Sequence, residues 1–232
     1  MIGLVGVIVS STSIFQILHG YHVSAKNYQE IQEIYKAQDE RLVGSKMITM
    51  KDLNDEYVGW ISIHDTKIDY PVVKAKDNEF YLTRNFYKEK DKAGSIFMDF
   101  RNSTDQLDKN TIIYGHNMKD QSMFGSLQDY KTTSFLEEHS VISLDFVDEH
   151  YEWEVFSVYS VTDTEWMETS FTSDQEFEIF LQSIRRKSII DLQTDVTVND
   201  QILTLSTCTN VEEDERMIVH AKLISKGEGI ES

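Results

Sequence analysis

Between Val58 and Ser225 the chain breaks into eight short apolar runs, each ended by turn-forming residues, and that pattern restricts the fold more than any other feature. The runs are Val58–Ile63, Ile68–Val73, Ser95–Phe100, Thr111–Tyr114, Val141–Phe146, Trp153–Val161, Ile202–Cys208 and Met217–Ser225. Segments of this length and composition are strands, and eight of them in close succession predict a mainly β domain, an antiparallel barrel or sandwich. Helical spacing interrupts them at Asn78–Thr83, Met123–Tyr130 and Asp174–Lys187. The last insert places Phe177, Phe180, Leu181 and Ile184 on one face, behind an acidic start at Asp174 and Glu176 that suits the positive end of the helix dipole.

The N-terminal region has a different character. No Asp, Glu, Lys or Arg occurs before Lys26, and ten of the seventeen residues in Ile2–Leu18 are Ile, Leu, Val or Phe. About 20 helical residues cover a hydrocarbon core of roughly 30 Å. Residues 1–25 are therefore expected to be a membrane anchor, a single pass that leaves the rest of the chain outside the cell. A signal peptide cleaved near Val23-Ser24-Ala25 competes with that expectation. No Lys or Arg precedes the apolar run, so the positive-inside rule does not fix its orientation, and we expect the natural start to lie upstream. Residues 26–51 read as a helical extension, with Tyr28, Ile31, Ile34 and Tyr35 at helical spacing and a capping-box start at Thr49-Met50-Lys51-Asp52. Residues 52–232 form the main domain.

With 40 acidic against 22 basic residues the net charge is −18, which argues against a nucleic-acid partner. One cysteine in the chain excludes an internal disulfide and a multi-thiolate metal site. That residue, Cys208, closes the run Leu203-Thr204-Leu205-Ser206-Thr207-Cys208, and Arg216 opens the next strand. Strand alternation puts Leu203 and Leu205 on one face and Ser206 and Cys208 on the other. In the following strand Met217, Val219, Ala221 and Leu223 form the apolar face, opposite Arg216, Ile218 and His220. An antiparallel pairing across the seven residues 209–215 would set Cys208 against Arg216 on the non-core side.

A thiol, with an ordinary pKa of about 8.5, needs a base to become a nucleophile and a donor for the oxyanion it creates. Arginine can donate but cannot act as the base. Among the seven histidines, His116 stands out: it follows Gly115 at the end of a buried-looking run, where Gly permits unusual backbone angles. His220 shares a face with Arg216 but lies further from the loop. Inert packing is the competing reading of Cys208, and a salt bridge to Glu212, Glu213 or Glu215 the competing reading of Arg216.

Three separated motifs resemble those of class B sortases, the cysteine transpeptidases of Gram-positive cell surfaces: Tyr114-Gly115-His116-Asn117-Met118, Thr204-Leu205-Ser206-Thr207-Cys208, and the arginine eight residues after the cysteine. Further agreement comes from Val58-Gly59-Trp60-Ile61, Asp69-Tyr70-Pro71-Val72-Val73, the stretch from Gly94 to Asn102 and Arg186-Lys187-Ser188, so the resemblance runs from Asp52 to the end. It implies an eight-stranded sortase-type β-barrel with an N-terminal helical extension and a long helix between strands six and seven. It implies Cys208 as nucleophile, His116 as acid/base and Arg216 as oxyanion stabiliser, with Asn78, Leu82, Ser206 and Thr207 lining the substrate groove and the loop Thr162–Met167 bordering it. The implied reaction cleaves a surface protein's sorting signal, of NPQTN-like or (S/N/P)PxTG-like form, after its threonine. The acyl group passes through a thioacyl-enzyme to a cell-wall amine such as that of lipid II. No metal or cofactor is implied.

Three other readings stay open on the residues. One is a pilin-polymerising sortase, using a lysine amine. Another is an extracytoplasmic cysteine peptidase or an L,D-transpeptidase, although the Ser-His-Gly-x-x-Cys context of the latter is absent. A β-barrel binding module without turnover is the third.

Overall fold

In the computed structural model the described residues are 20–37, 49–190, 192, 194–208 and 215–227. Strands β1 (Tyr57–Ser62), β2 (Asp69–Val73), β3 (Ile96–Met98), β4 (Asn110–His116), β5 (Val141–Phe146), β6 (Glu149–Val161), β7 (Ile202–Cys208) and β8 (Arg216–Gly227) form one closed sheet. Their order around the barrel is β1-β2-β3-β4-β7-β8-β6-β5. Closure leaves no long unpaired edge. The period-two pattern is visible in β5, where Ile142, Leu144 and Phe146 are buried and Val141, Ser143 and Asp145 are not.

The eight strands match the expected runs, but the barrel is not wholly antiparallel. β2 pairs with β3 in parallel through Val72 and Ile96, and β4 pairs with β7 in parallel along its whole length. Between β4 and β7 the chain makes a long excursion through a short helix (Thr133–Glu138), β5, β6 and the helix Asp174–Lys187. A return by such a crossover, unlike a hairpin, lays the second strand alongside the first in the same direction. β3 is also shorter than expected: after Met98 the chain turns at Asp99, whose carboxylate takes the Arg101 N–H.

Among the described residues four α-helices accompany the barrel, numbered α1 (residues 20–37), α2 (Met50–Leu53), α3 (Thr133–Glu138) and α4 (Asp174–Lys187). The α4 helix starts at Ser173, whose hydroxyl accepts from the Glu176 N–H, and ends in Arg185, Arg186 and Lys187. It buries Phe177, Phe180, Leu181 and Ile184 against the outer face of the β6–β8 region. Burying four such side chains favours docking by roughly 6–12 kcal/mol before entropy is subtracted. Ser157 on β6 reinforces the contact by donating to the Ile184 carbonyl at 2.7 Å. The capping box at Thr49 and Asp52 is present as expected. The insert expected at Asn78–Thr83 is a 3₁₀ turn, Phe80–Leu82, and that expected at Met123–Tyr130 is the 3₁₀ segment Gly125–Lys131.

Helix α1 lies against the barrel. Tyr28 and Ile31 are buried, the Tyr28 hydroxyl donates to the Gly94 carbonyl at 2.7 Å, and Tyr35 stacks on Trp60 with ring centres 3.9 Å apart. The tyrosine hydroxyl also bonds Asp145. Residues 20–25, assigned to the anchor on composition, belong to this same helix, and Ser24 donates to Asp91. The rest of the predicted anchor, residues 1–19, lies outside the described residues. Among those that are described, no helix is long and apolar enough to cross a membrane.

Candidate active site

The parallel β4–β7 pair runs in register from Asn110 opposite Ile202 to His116 opposite Cys208, so these two residues end their strands side by side. The antiparallel β7–β8 pair runs to Ser206 opposite Ile218, and two further steps of that register set Cys208 against Arg216. Arg216 is half-buried and pairs on its other side with Val161 of β6. The end of β4, remote in sequence, thus meets the end of β7 and the start of β8, and the three predicted residues stand at one rim of the barrel. The connection at 209–214, with Glu212 and Glu213, lies outside the described residues.

Gly115 has an ordinary strand backbone, and its role is packing, not the unusual angles expected. A Cβ there would come within 2.4 Å of Ile96 Cδ1 and 2.7 Å of Phe124 Cγ. Only glycine lets Phe124 press against β4, and the Phe124 N–H in turn holds the His116 carbonyl at 3.0 Å. The His116 ring is half-buried. Burial pushes its pKa below the ordinary 6.5 against an opposing pull from Asp91, so the imidazole is neutral at pH 7. Its Nδ1 is buried without a hydrogen-bond partner among the described residues, so no carboxylate there orients the ring. A neutral imidazole can accept a proton from a thiol, as a general base must.

His220 is excluded as the base. It is fully buried, its Nε2 is 2.8 Å from the Tyr159 hydroxyl and its Nδ1 2.8 Å from Thr204 Oγ1. Burial, with a smaller push from Lys187, moves its pKa down to about 3. The face carrying Ser206, His220 and Arg216, read from sequence as the non-core side, is itself covered: Ser206, Thr204 and His220 are fully buried, with Phe180 of α4 edge-on to His220 and Asn110, the partner of Thr204, bonded to the Glu168 carbonyl between β6 and β7. A second layer, absent from strand alternation, explains this.

The predicted groove residues occupy different situations. Asn78 donates to Asp99 Oδ2 at 3.0 Å and accepts from the Phe100 N–H at 3.0 Å, while Asp77 caps the following 3₁₀ turn. Leu82 is half-buried at the end of that turn and packs on the core, outside the Asn78 network. Thr207 is buried and its hydroxyl accepts the Met217 N–H at 2.9 Å, which ties β7 to β8. Ser206 lies opposite Tyr114 in the β4–β7 register.

Sequence reasoning missed the polar floor beneath these residues. Asp99, wholly buried, accepts from Tyr114 Oη at 2.7 Å and from Arg101 Nε and Nη2 at 2.8 and 2.9 Å. Burial raises its pKa, but the bonds from Arg101, Tyr114 and Asn78 outweigh this and hold the carboxyl below the ordinary range. Arg101 Nη2 also donates to the Met167 carbonyl at 2.8 Å, and Asn110 Nδ2 to the Glu168 carbonyl at 2.8 Å. Trp166, fully buried, packs edge-on against Tyr114 with centroids 6.2 Å apart. Lys187 grips the same loop by Asp163 and Glu165, each at 2.9 Å. The segment predicted to border the groove is therefore docked from below at several points. The one signal of this in the sequence was a carboxylate directly after the apolar run Ile96-Phe97-Met98.

Comparison with known proteins identifies the family. Residues 61–224 match the Sortase domain family. The sortase B of Listeria monocytogenes is 44% identical over 79% of this chain and 76% of its own length. The solved sortase B of Bacillus anthracis superposes with a TM-score of 0.81 at 43% identity, covering 89% of this chain and 99% of that one. A Staphylococcus aureus sortase B–substrate complex superposes with a TM-score of 0.80 at 38% identity, covering 86% and 95%. The chain belongs to the sortase family, in its class B branch.

Proposed function

We propose that this protein is a cysteine transpeptidase that cleaves the C-terminal sorting signal of surface proteins after a threonine and passes the acyl group to a cell-wall amine. The observation that carries the reading is the register that ends β4 at His116 beside Cys208 on β7, with Arg216 opening β8. In the first half-reaction His116 takes the Cys208 thiol proton and the sulfur adds to the threonine carbonyl carbon. Arg216 donates to the resulting oxyanion. The C–N bond breaks as His116 returns the proton to the leaving amine nitrogen, leaving a thioester. In the second, an amine adds to the thioester carbonyl and gives a proton to His116. The sulfur leaves and recovers that proton, and a new amide remains. With its pKa held below the ordinary 6.5, His116 is a neutral imidazole that can take the thiol proton as the sulfur adds to the carbonyl.

The substrate assignment draws on two similar solved structures, an S. aureus sortase B–substrate complex and a sortase B complexed with Gly3. The acceptor would accordingly be a peptidoglycan-precursor amine such as that of lipid II. Asn78, Leu82, Ser206 and Thr207 are assigned to the groove by family resemblance; the burial of Ser206 and Thr207 favours a supporting role beneath it. The charge-free residues 1–25 support anchorage to the cell membrane with the enzyme domain outside.

The test is incubation of the domain from residue 20 with NPQTN-like and (S/N/P)PxTG-like peptides, with and without triglycine, read by mass spectrometry beside Cys208→Ala. Cleavage after threonine, a thioacyl adduct on Cys208 and a triglycine-capped product are expected, and all three vanish in the variant. Acid release indifferent to amine would identify a peptidase instead. An unreactive Cys208 with no adduct would leave the binding-module reading.

A further inference from the structure

Among the described residues the Asp99 carboxylate accepts from five donors. Oδ1 accepts from the Arg101 N–H and Nε, and Oδ2 from Asn78 Nδ2, Arg101 Nη2 and Tyr114 Oη. The three donor residues, Asn78, Arg101 and Tyr114, lead to different parts of the candidate site. Asn78 holds the segment before the Phe80–Leu82 turn. Tyr114 stands opposite Ser206, two residues before the His116–Cys208 pair, and lies close enough to Arg216 to feel its charge. Arg101 reaches past Asp99 to the Met167 carbonyl in the β6–β7 segment. One buried charge therefore cross-ties both segments expected to wall the groove to the strand that carries His116.

Resting on the transpeptidase reading, we propose that Asp99 is a positioning residue that sets the separation of the two groove walls through Asn78 and Arg101, without touching substrate. A bidentate guanidinium–carboxylate pair is geometrically stiff, unlike a lysine contact. Displacing a reacting group by about 1 Å can cost on the order of 100-fold in rate. A groove wall held by a planar, doubly bonded pair presents the scissile carbonyl to Cys208 at a set distance. The Asp99–Arg101 pair is also internally neutral, so it holds the walls without placing net charge under the peptide.

The test compares wild type with Asp99→Asn, Arg101→Lys and Tyr114→Phe in three measurements: peptide KM and kcat, the rate of Cys208 alkylation by iodoacetamide, and thermal unfolding. Asp99→Asn keeps the shape but turns an amide N–H₂ toward donors. Its expected result is a KM raised about 10-fold or more with alkylation within about 2-fold of wild type, because the small reagent does not need the walls. Arg101→Lys, which cannot hold Asp99 and Met167 together in the same fork, should raise KM about 3-fold or more, and Tyr114→Phe less than either. An unchanged KM in Asp99→Asn overturns the proposal, as does an alkylation rate that falls in step with KM, since Asp99 would then act on the thiol itself. If Asp99→Asn does not fold, Arg101→Lys decides, and a wild-type KM in that variant overturns the proposal. Wild-type turnover is read first: its failure on every peptide sinks the transpeptidase reading and the positioning role with it. Turnover with unchanged variants sinks the positioning role alone.

Discussion

Acid should destabilise this fold through His220, by an amount that its surroundings define. Thr204 gives its hydroxyl proton to Asn110 Oδ1 at 2.6 Å, so it accepts from His220 Nδ1–H, and Nε2 accepts from the Tyr159 hydroxyl. The ring is held neutral in one tautomer, with its pKa pushed by burial, and less so by Lys187, from 6.5 to about 3. A histidine whose folded pKa is lowered contributes its full stability above the unfolded pKa. That stability is lost as pH falls towards the folded value, because the unfolded chain binds the proton first. At about 1.4 kcal/mol per unit, the whole window from 6.5 to about 3 amounts to roughly 5 kcal/mol, of which about 2 kcal/mol falls between pH 7 and 5. Urea unfolding at pH 7, 6 and 5 would be measured for wild type and His220→Gln, whose amide can donate to Thr204 and accept from Tyr159 without titrating. Wild type should lose about 2 kcal/mol more than the variant over that range. His116, also lowered, is common to both proteins and cancels. Equal pH slopes would refute the argument, since His220 would then carry no linked proton.

Two substitutions away from the chemistry give further checks. Gly115→Ala should cost about 1–3 kcal/mol by overpacking against Ile96 and Phe124, and should lower peptide turnover even where the protein is fully folded, because Phe124 also holds His116; denaturant titration with kcat/KM decides. Ser173→Ala should remove about 1 kcal/mol by uncapping α4, with KM unchanged, and a KM shift would show that the cap also sets the β6–β7 wall.

The candidate site was legible in sequence to an uneven depth. Cys208, His116 and Arg216 stood out because a lone thiol, a histidine after a strand-ending glycine and an arginine at a strand start are unusual where they sit. Asp99 and Asn110 did not, because a single carboxylate or amide near a strand end has the same local pattern whether it is solvated or is a buried hub. Gly115 was read as a backbone residue because sequence reports that glycine is present, while the neighbours that would meet its Cβ come from Ile96 and Phe124, distant in the chain or in another element. His220 was placed correctly on the Arg216 face, yet that face turned out to be roofed by the β6–β7 segment.

By itself the sequence determined what short-range periodicity can carry. Alternation marked eight strands, 3.6-residue spacing marked α4 with its buried Phe177, Phe180, Leu181 and Ile184, and the capping box at Thr49 and the acidic start at Asp174 and Glu176 acted within one turn. Only the tertiary structure decided that β4 lies beside β7, and in parallel. Side-chain alternation states which face a residue is on but not which strand will be its neighbour. That choice comes from closing the whole barrel, where every strand must satisfy two partners at once, and it is this closure that sets His116 beside Cys208.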